Sequence, residues 1–313
     1  MNRVNGGVKV ATEGELIAAL AQIFKKPDPN LLVGIGDDAA VMKGNSQNLV
    51  AATDMSVEGV HFKREWSSLN EIGAKLTAAN LADIFAMGGE PKYLLVSAGL
   101  PEGFSLEEIT ELANGIKSEA DHVGAAIVGG DISKSEKLVI SIAVFGSVDK
   151  AIVRSGAKVG DVVILSNITG PSAAGLHQLQ EGKKVSLYIS AHKKPIVRYD
   201  LAREFRKVNA MCDVSDGLLS ELNHIAKASQ VGIELDRSLF SNVPGYAELV
   251  LTSETEGIDV WQWVLAGGED HAFVATTSGP IPDGATVIGR VIEGNEVKVL
   301  GLPELPPEGF KHF

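Results

Sequence analysis

Cysteine is almost missing: Cys212 is the single one in 313 residues. A disulfide within the chain is excluded, and a zinc site built on thiolates nearly so. Cys212 lies inside an apolar run and reads as a small buried hydrophobe. The phosphate-binding P-loop is missing too. The one Gly-Lys dipeptide, Gly182-Lys183, is followed by Lys rather than Ser or Thr, so any use of ATP proceeds without that loop. There is no H-E-x-x-H zinc motif and no G-x-S-x-G serine elbow. No apolar stretch reaches the roughly 18 residues of a membrane span. The first twenty residues lack a charged region followed by an apolar one. No membrane is expected, and the cytoplasm is the expected compartment. Basic residues are few, 28 against 40 acids, for a net charge of −12. That argues against nucleic acid or an anionic membrane as partner, since both need a basic footprint. Small phosphorylated ligands stay open, provided cations mediate the contact.

What is present is one pattern written five times. An apolar run climbs to small residues and stops at one or two acids: 31–38 (LLVGIGDD), 49–54 (LVAATD), 125–131 (AAIVGGD), 211–216 (MCDVSD) and 264–270 (VLAGGED). Each run is short enough for a buried strand. Gly, Ala, Thr or Ser then lets the backbone turn or a ligand come close. Carboxylates emerging from several such ends could converge, and massed like charge needs cations to hold it together. Mg²⁺ takes hard oxygen ligands and commonly shares them with phosphates. The pattern therefore points to phosphoryl transfer with several Mg²⁺ ions.

The length allows two domains, and 45% hydrophobic residues supply a core for both. Helices are expected over 12–24 (Thr12 and Glu15 forming a capping box), 71–87, 105–123 (Ser105 capping), 172–180, 216–229 and about 257–265. Strands are expected near 31–35, 48–53, 93–100, 125–128, 137–148, 161–166, 210–214, 232–235, 271–277 and 285–300. Residues 154–161 read as a connector, 183–207 as a basic segment and the tail as Pro-rich. The fold class is α/β (α+β), with an N-terminal domain over 1–150 and a C-terminal one over 151–313.

Several residues carry chemistry on their own terms. Asp37, Asp38, Asp54 and Asp131 each end an apolar run, as metal ligands or as solvated turn acids. The 34–39 segment GIGDDA fits a dinucleotide fingerprint only loosely, since its acids would face a pyrophosphate. Asp83 sits in a helix among Leu76, Leu81, Ile84 and Phe85 with Asn80 beside it, where a carboxylate needs a partner. Asp213 and Asp216 flank a strand-to-helix junction. Asp216 is either a helix cap or a ligand to a metal–phosphate cluster. Arg154 is a candidate phosphate clamp. His192, Lys193, Lys194 and Arg198 form a positive cluster, either functional or a solvated face.

Taken together, 34–40 (GIGDDAA), 53–62 (TDMSVEGVHF), 79–88 (ANLADIFAMG), 129–131 (GGD), 154–158 (RSGAK), 160–161 (GD), 215–218 (SDGL) and 267–270 (GGED) resemble the thiamine-monophosphate kinase family. Its superfamily includes aminoimidazole ribonucleotide synthetase, selenophosphate synthetase and a hydrogenase-maturation dehydratase. The resemblance implies transfer of the γ-phosphoryl of ATP to thiamine monophosphate. It implies a two-domain, synthetase-like fold whose N-terminal halves pair into a β-barrel across a homodimer, with the C-terminal half completing an ATP cleft. It implies that Asp38, Thr53, Asp54, Asp83, Asp131, Asp213 and Asp216 hold several Mg²⁺ ions, with Ala52 offering at most its carbonyl. Asp54, Asp83, Asp131 and Asp213 would carry the catalysis. Gly130, Asp131, Arg154 and Ser215 would contact ATP, and His61, Glu269 and Phe310 the thiamine monophosphate.

The family often continues G-G-E-D-Y-E, whereas His271 and Ala272 follow here. Val197 stands where a second Pro of H-x-x-P-x-P-R is usual. Selenophosphate synthetase and the dehydratase use cysteines this chain lacks. A synthetase-like cyclo-ligase and a non-catalytic Mg²⁺/nucleotide-binding protein remain the alternatives.

Overall fold

The structure, a computed structural model, describes residues 19–20, 22–33, 41–42, 47–302 and 304–306. Asp37, Asp38 and Phe310 lie outside the described residues, as does most of the helix expected over 12–24. Its residues 19, 20, 22 and 23 are helical. Internal contacts divide the chain into two units, one of residues 1–46, 53–77 and 92–144, the other of 47–52, 78–91 and 145–313. No helix among the described residues is long and apolar enough to cross a membrane.

The first unit begins with a small antiparallel pair, β1 (Leu31–Val33) and β2 (Val41–Met42). A four-stranded sheet follows in the chain, made of β3 (Asn48–Val57), β4 (Glu90–Leu100), β5 (Ala126–Lys134) and β6 (Val139–Val148) in the order β3-β6-β4-β5; residues 48–52, 90–91 and 145–148 of its strands are counted in the second unit. Two helices accompany it, α1 (Leu69–Ala86), whose residues from 78 on are counted in the second unit, and α2 (Leu106–Val123). Strands β4 and β5 are parallel, Tyr93 opposite Ala126 through Leu100 opposite Lys134. Parallel neighbours need a crossover connection, and α2 is that crossover. Ser105 accepts from the Glu108 amide at 3.2 Å while Glu108 takes the Ser105 amide at 2.8 Å, the reciprocal box that starts a helix sharply. Gly124 ends it in the left-handed conformation.

The second unit holds a six-stranded sheet in the order β12-β9-β11-β7-β10-β8. Its strands are β7 (Val162–Leu165), β8 (Ala210–Asp213), β9 (Gly232–Asp236), β10 (Phe273–Thr277), β11 (Thr286–Ile292) and β12 (Val297–Leu300). Only β12 beside β9 is parallel; the other pairings are antiparallel. The helices are α3 (Pro171–Gln180), α4 (Leu187–Lys193), α5 (Tyr199–Glu204), α6 (Leu218–Ser229), α7 (Tyr246–Glu256) and α8 (Val260–Ala266). Val163, Leu165, Cys212, Ile233 and Val274 of the sheet share one core with Leu222 and Ile225 of α6 and with Phe240 and Trp263.

Three expectations change. The run at 264–270 is no strand: α8 carries it to Ala266, in keeping with the helix expected at 257–265. The single strand expected over 285–300 is two, β11 and β12. The basic segment contains α4 and α5, and α7 was not anticipated at all. Helices of six or seven residues are too short to print a period, and α7 exposes apolar Leu251, which blurs its pattern.

Helices α1 and α2 meet through glycines. A Cβ on Gly115 would come under 3.0 Å from the Asn70 carbonyl, and one on Gly73 equally close to the Leu112 carbonyl. Both obstacles are backbone, so neither can rotate away. Gly115→Ala is expected to cost about 2 kcal/mol or more in a denaturant titration, despite the better helix propensity of Ala. A loss under about 0.5 kcal/mol would show that the helices can separate freely.

Candidate active site

In the first unit, β3 runs past the acid at which it was expected to stop. Thr53 and Asp54 are therefore mid-strand, and both are exposed. Ser141 Oγ of β6 donates to the Asp54 carbonyl at 3.1 Å and lies 3.5 Å from Thr53 Oγ1. Ala52, half-buried, precedes them on the same strand. In the turn after β3, the Val57 amide donates to His61 Nδ1 at 3.1 Å, which leaves Nε2 to carry the proton of a neutral ring. On β5, Gly130 lies opposite Val96 and Asp131 opposite Ser97. A Cβ on Gly130 would strike the Val96 carbonyl, so the glycine is what lets β5 lie flush on β4 and deliver Asp131 at the surface. The sheet order keeps Asp54 and Asp131 on opposite edge strands, three strand spacings or about 14 Å apart.

In the second unit, Asp83 and Asn80 lie on the second half of α1. Asn80 is buried and Asp83 half-buried, one turn after the likewise half-buried Ala79. Asp213 ends β8 and is buried, with His271 Nδ1 donating to its Oδ2 at 3.1 Å. The strand end is zipped to residues 269–272. Val214 donates to Ala272 O at 2.7 Å, His271 to Val214 O at 3.0 Å, and Glu269 to Ser215 O at 2.7 Å. Asp216 is not the helix cap: Gly217 holds that position, with no side-chain bond. The first amides of α6 are thus left without a side-chain acceptor, the condition that favours an anion.

Glu269 and His271 both adopt positive φ, 65° and 48°, a costly conformation for residues with a side chain. The buried carboxylate between them explains it. Asp270 accepts from the amides of Gly170 at 2.7 Å and Ser172 at 2.8 Å, capping α3 from a distance in sequence. Burial pushes its carboxyl up to about 7, against the downward pull of those two amides. Glu269 Oε2 lies 3.7 Å from His192 Nδ1, which is hydrogen-bonded to Ser172 Oγ at 3.0 Å. His192 is therefore buried and turned inward, neither surface charge nor solvated face. The other basic residues divide up separately. Arg198 pairs with Asp200, and Arg203 pairs with Glu90 at 2.5 Å. Burial raises the Glu90 carboxyl, but Arg203 and Arg206 outweigh it and leave it below its ordinary value.

Arg154 starts the 3-10 turn Arg154–Gly156, and its Nη2 donates to Glu221 Oε2 at 3.2 Å. Cys212 is buried and its thiol raised well above its ordinary value, first by burial and then by Glu221 and Asp213. Among the described residues no three His, Cys, Asp or Glu stand close enough to hold a metal as a group. Sequence reading placed His192 in a positive cluster without its buried role, and missed Glu221 and the capping role of Asp270. The i, i+3 spacing of Glu221 and His224 on one helix was the signal that could have flagged Glu221.

Residues 36–148 match the AIR synthase related protein N-terminal domain, and 158–301 the corresponding C-terminal domain. The chain is similar to the thiamine-monophosphate kinase of Bacillus subtilis (strain 168), 40% identical and covering 90% of this chain and 93% of that one. It is likewise similar to the one of Aquifex aeolicus (strain VF5), 37% identical, with 89% and 92% covered. Among solved structures, AaThiL complexed with AMPPCP and TMP superposes with a TM-score of 0.79 at 35% identity, over 96% of this chain and 97% of that one.

The stability contribution of Asp270 follows from its raised value. A carboxyl held at about 7 in the fold and 3.8 ordinarily stabilises most below pH 4 and loses that contribution as pH rises through 7. Asn at 270 does not titrate. The stability advantage of the wild type over Asp270→Asn is expected to be larger at pH 5 than at pH 8 in denaturant titrations. An advantage equal at the two pH values would mean the capping carboxyl is charged throughout.

Proposed function

The chain belongs to the thiamine-monophosphate kinase family, on AIR synthase related domains, and from that membership we propose that it phosphorylates thiamine monophosphate with ATP to give thiamine diphosphate. The observation that carries the reading is the likeness, over nearly the whole chain, to a kinase solved with both AMPPCP and TMP. It acts in the cytoplasm as a homodimer, the paired N-terminal sheets of two copies closing into a barrel. The 1–150 half carries Thr53, Asp54, Asp83 and Asp131, and the 151–313 half carries Arg154, Asp213, Ser215 and Glu269.

The acceptor is a phosphate oxygen, ionised at neutral pH, so no strong base is required. The task is to bring two anions together in line and stabilise the charge on the moving group. Arg154 offers a half-exposed guanidinium, suited to phosphate oxygens. Gly130 and Ser215 give backbone or hydroxyl contact to the nucleotide, and the uncapped amides of α6 add positive potential. His61 can donate from Nε2 to the acceptor phosphate. Glu269, 38% exposed, matches the cationic ring of thiamine, with Phe310 stacking on it.

Thr53, Asp54, Asp83, Asp131, Asp213, Asp216 and Asp38 are all oxygen donors, which is what Mg²⁺ takes, and Ala52 adds a carbonyl. When bound, Mg²⁺ supplies charge neutralisation and a template for the phosphates. Asp213 suits the role on the structure's own terms. It is a buried carboxylate whose Oδ2 is fixed by His271, so its orientation is set before any ligand arrives.

The test is a product assay with thiamine monophosphate, ATP and Mg²⁺, beside a control without Mg²⁺. Mg²⁺-dependent thiamine diphosphate with matching ADP is the expected result. Asp131→Asn should lower kcat by about 100-fold or more at an unchanged melting temperature. Folded protein that binds Mg·ATP yet makes no thiamine diphosphate would sink the substrate assignment, and formylglycinamidine ribonucleotide would be the next acceptor to try.

A further inference from the structure

Glu221 is an expensive residue where it stands. Its side chain is 2% exposed, in the first turn of α6 above the second unit's core. Burial pushes its carboxyl above the ordinary value. His224 and Arg154 pull it down, and the nearby Asp213 pushes it up again. Core packing does not need an acid here: a Leu or Met would fill the volume without the desolvation cost. A buried carboxylate that packing does not require is explained by what it holds.

What it holds, on a single oxygen, is two donors. Arg154 Nη2 and His224 Nδ1 both lie 3.2 Å from Glu221 Oε2. The backbone of Arg154 is tied to the same helix farther along. Ser229 Oγ donates to the Arg154 carbonyl at 2.7 Å and accepts from the Ala157 amide at 3.1 Å. On the other side, a Cβ on Gly156 would strike the Asn209 carbonyl, so the turn is wedged in place. Arg154 is thus fixed at its backbone by the end of α6 and at its tip by the start. Its bond to Glu221 is through one nitrogen, and the side chain is still 49% exposed, which keeps the rest of the guanidinium fork within reach of a phosphate.

We propose that Glu221, itself oriented by His224, is a positioning residue that sets the guanidinium of Arg154 for the phosphates of the nucleotide. This rests on the reading of Arg154 as a nucleotide contact. Glu221 touches neither substrate. It acts by removing the rotamer freedom that a long side chain would otherwise lose on binding.

A double-mutant cycle on the full-length protein separates this from a merely structural role. The readouts are the Kd of Mg·AMPPCP and the Kd of thiamine monophosphate by calorimetry, with melting temperatures alongside. Glu221→Gln should weaken AMPPCP by about fivefold and leave thiamine monophosphate within about twofold. In an Arg154→Ala background the same change should cost AMPPCP nothing further. His224→Ala, at a half-exposed position, should show the same pattern at about two- to threefold, and it stands in should the Gln variant fail to fold. The positioning role is overturned if AMPPCP affinity is unchanged, if the loss persists in the Arg154→Ala background, or if both ligands weaken in step. Arg154→Ala binding AMPPCP like the wild type would instead overturn the assignment of Arg154 itself, and leave Glu221 nothing to position.

Discussion

Much of the second unit's candidate site hangs on one carboxylate and two amides. Asp270 reaches the N-terminus of α3 only if the chain on both sides of it is bent into left-handed backbone, at about 1–3 kcal/mol for each such residue. The bend persists because it is over-determined. Three backbone bonds zip residues 269–272 to 214–215, and two more go from α3 to Asp270 itself. The consequence is directional. Three successive side chains serve three partners: Glu269 meets His192, Asp270 meets α3 and His271 meets Asp213. A regular strand would have sent 269 and 271 to the same side. The two glycines before the acids belong to the same device. Gly268 lies against Ser215 O and Gly267 against Trp263 O, each too close for a Cβ.

A chain with net charge −12 also buries several of its acids, and four of them are held in one way. Asp161, Asp213, Glu221 and Asp270 are all under 9% exposed. Asp161 takes the Lys158 amide and the Asn209 side chain. Asp270 takes two backbone amides, Asp213 a histidine, and Glu221 a histidine and an arginine. No lysine serves as a partner in these bonds. Fixed amides and planar rings cost less ordering than a four-carbon ammonium arm and are less hydrated when buried. The result is a set of rigid acids whose orientation is settled by the fold.

The first half of the molecule was the more legible. Ser105, Glu108 and Gly124 announced α2 at both ends, because capping is local chemistry printed in adjacent residues. The helix and the two apolar runs that flank it were legible, but their parallel pairing as β4 and β5 was not part of that reading. The second half resisted because its sheet is mainly antiparallel and assembled from strands far apart in sequence. Asp213 meets Phe273 across β8 and β10, a pairing no local pattern encodes. The acid-ending runs did mark Asp54, Asp131, Asp213 and Asp270, but the same words hid different structures: mid-strand, surface strand, strand end and helix-following loop. The roles of His192 and Glu221 were invisible for one reason. A charged residue on an amphipathic helix is read as solvated until the neighbour that buries it is known.

Four histidines show how the chain divides its labour. His61 takes a backbone amide, His192 meets Ser172, His224 meets Glu221 and His271 meets Asp213, every one through Nδ1. An enzyme that had to strip a proton from a hydroxyl would keep such a ring poised beside the nucleophile, with its other nitrogen oriented by an acid. Here His271, 6% exposed, orients the Asp213 carboxylate, and the equally buried His192 is bonded to Ser172. That arrangement suits an acceptor that arrives already ionised. When the nucleophile is a phosphate oxygen, the barrier lies in holding two negative groups in line, and imidazoles are better used to fix carboxylates than to accept protons.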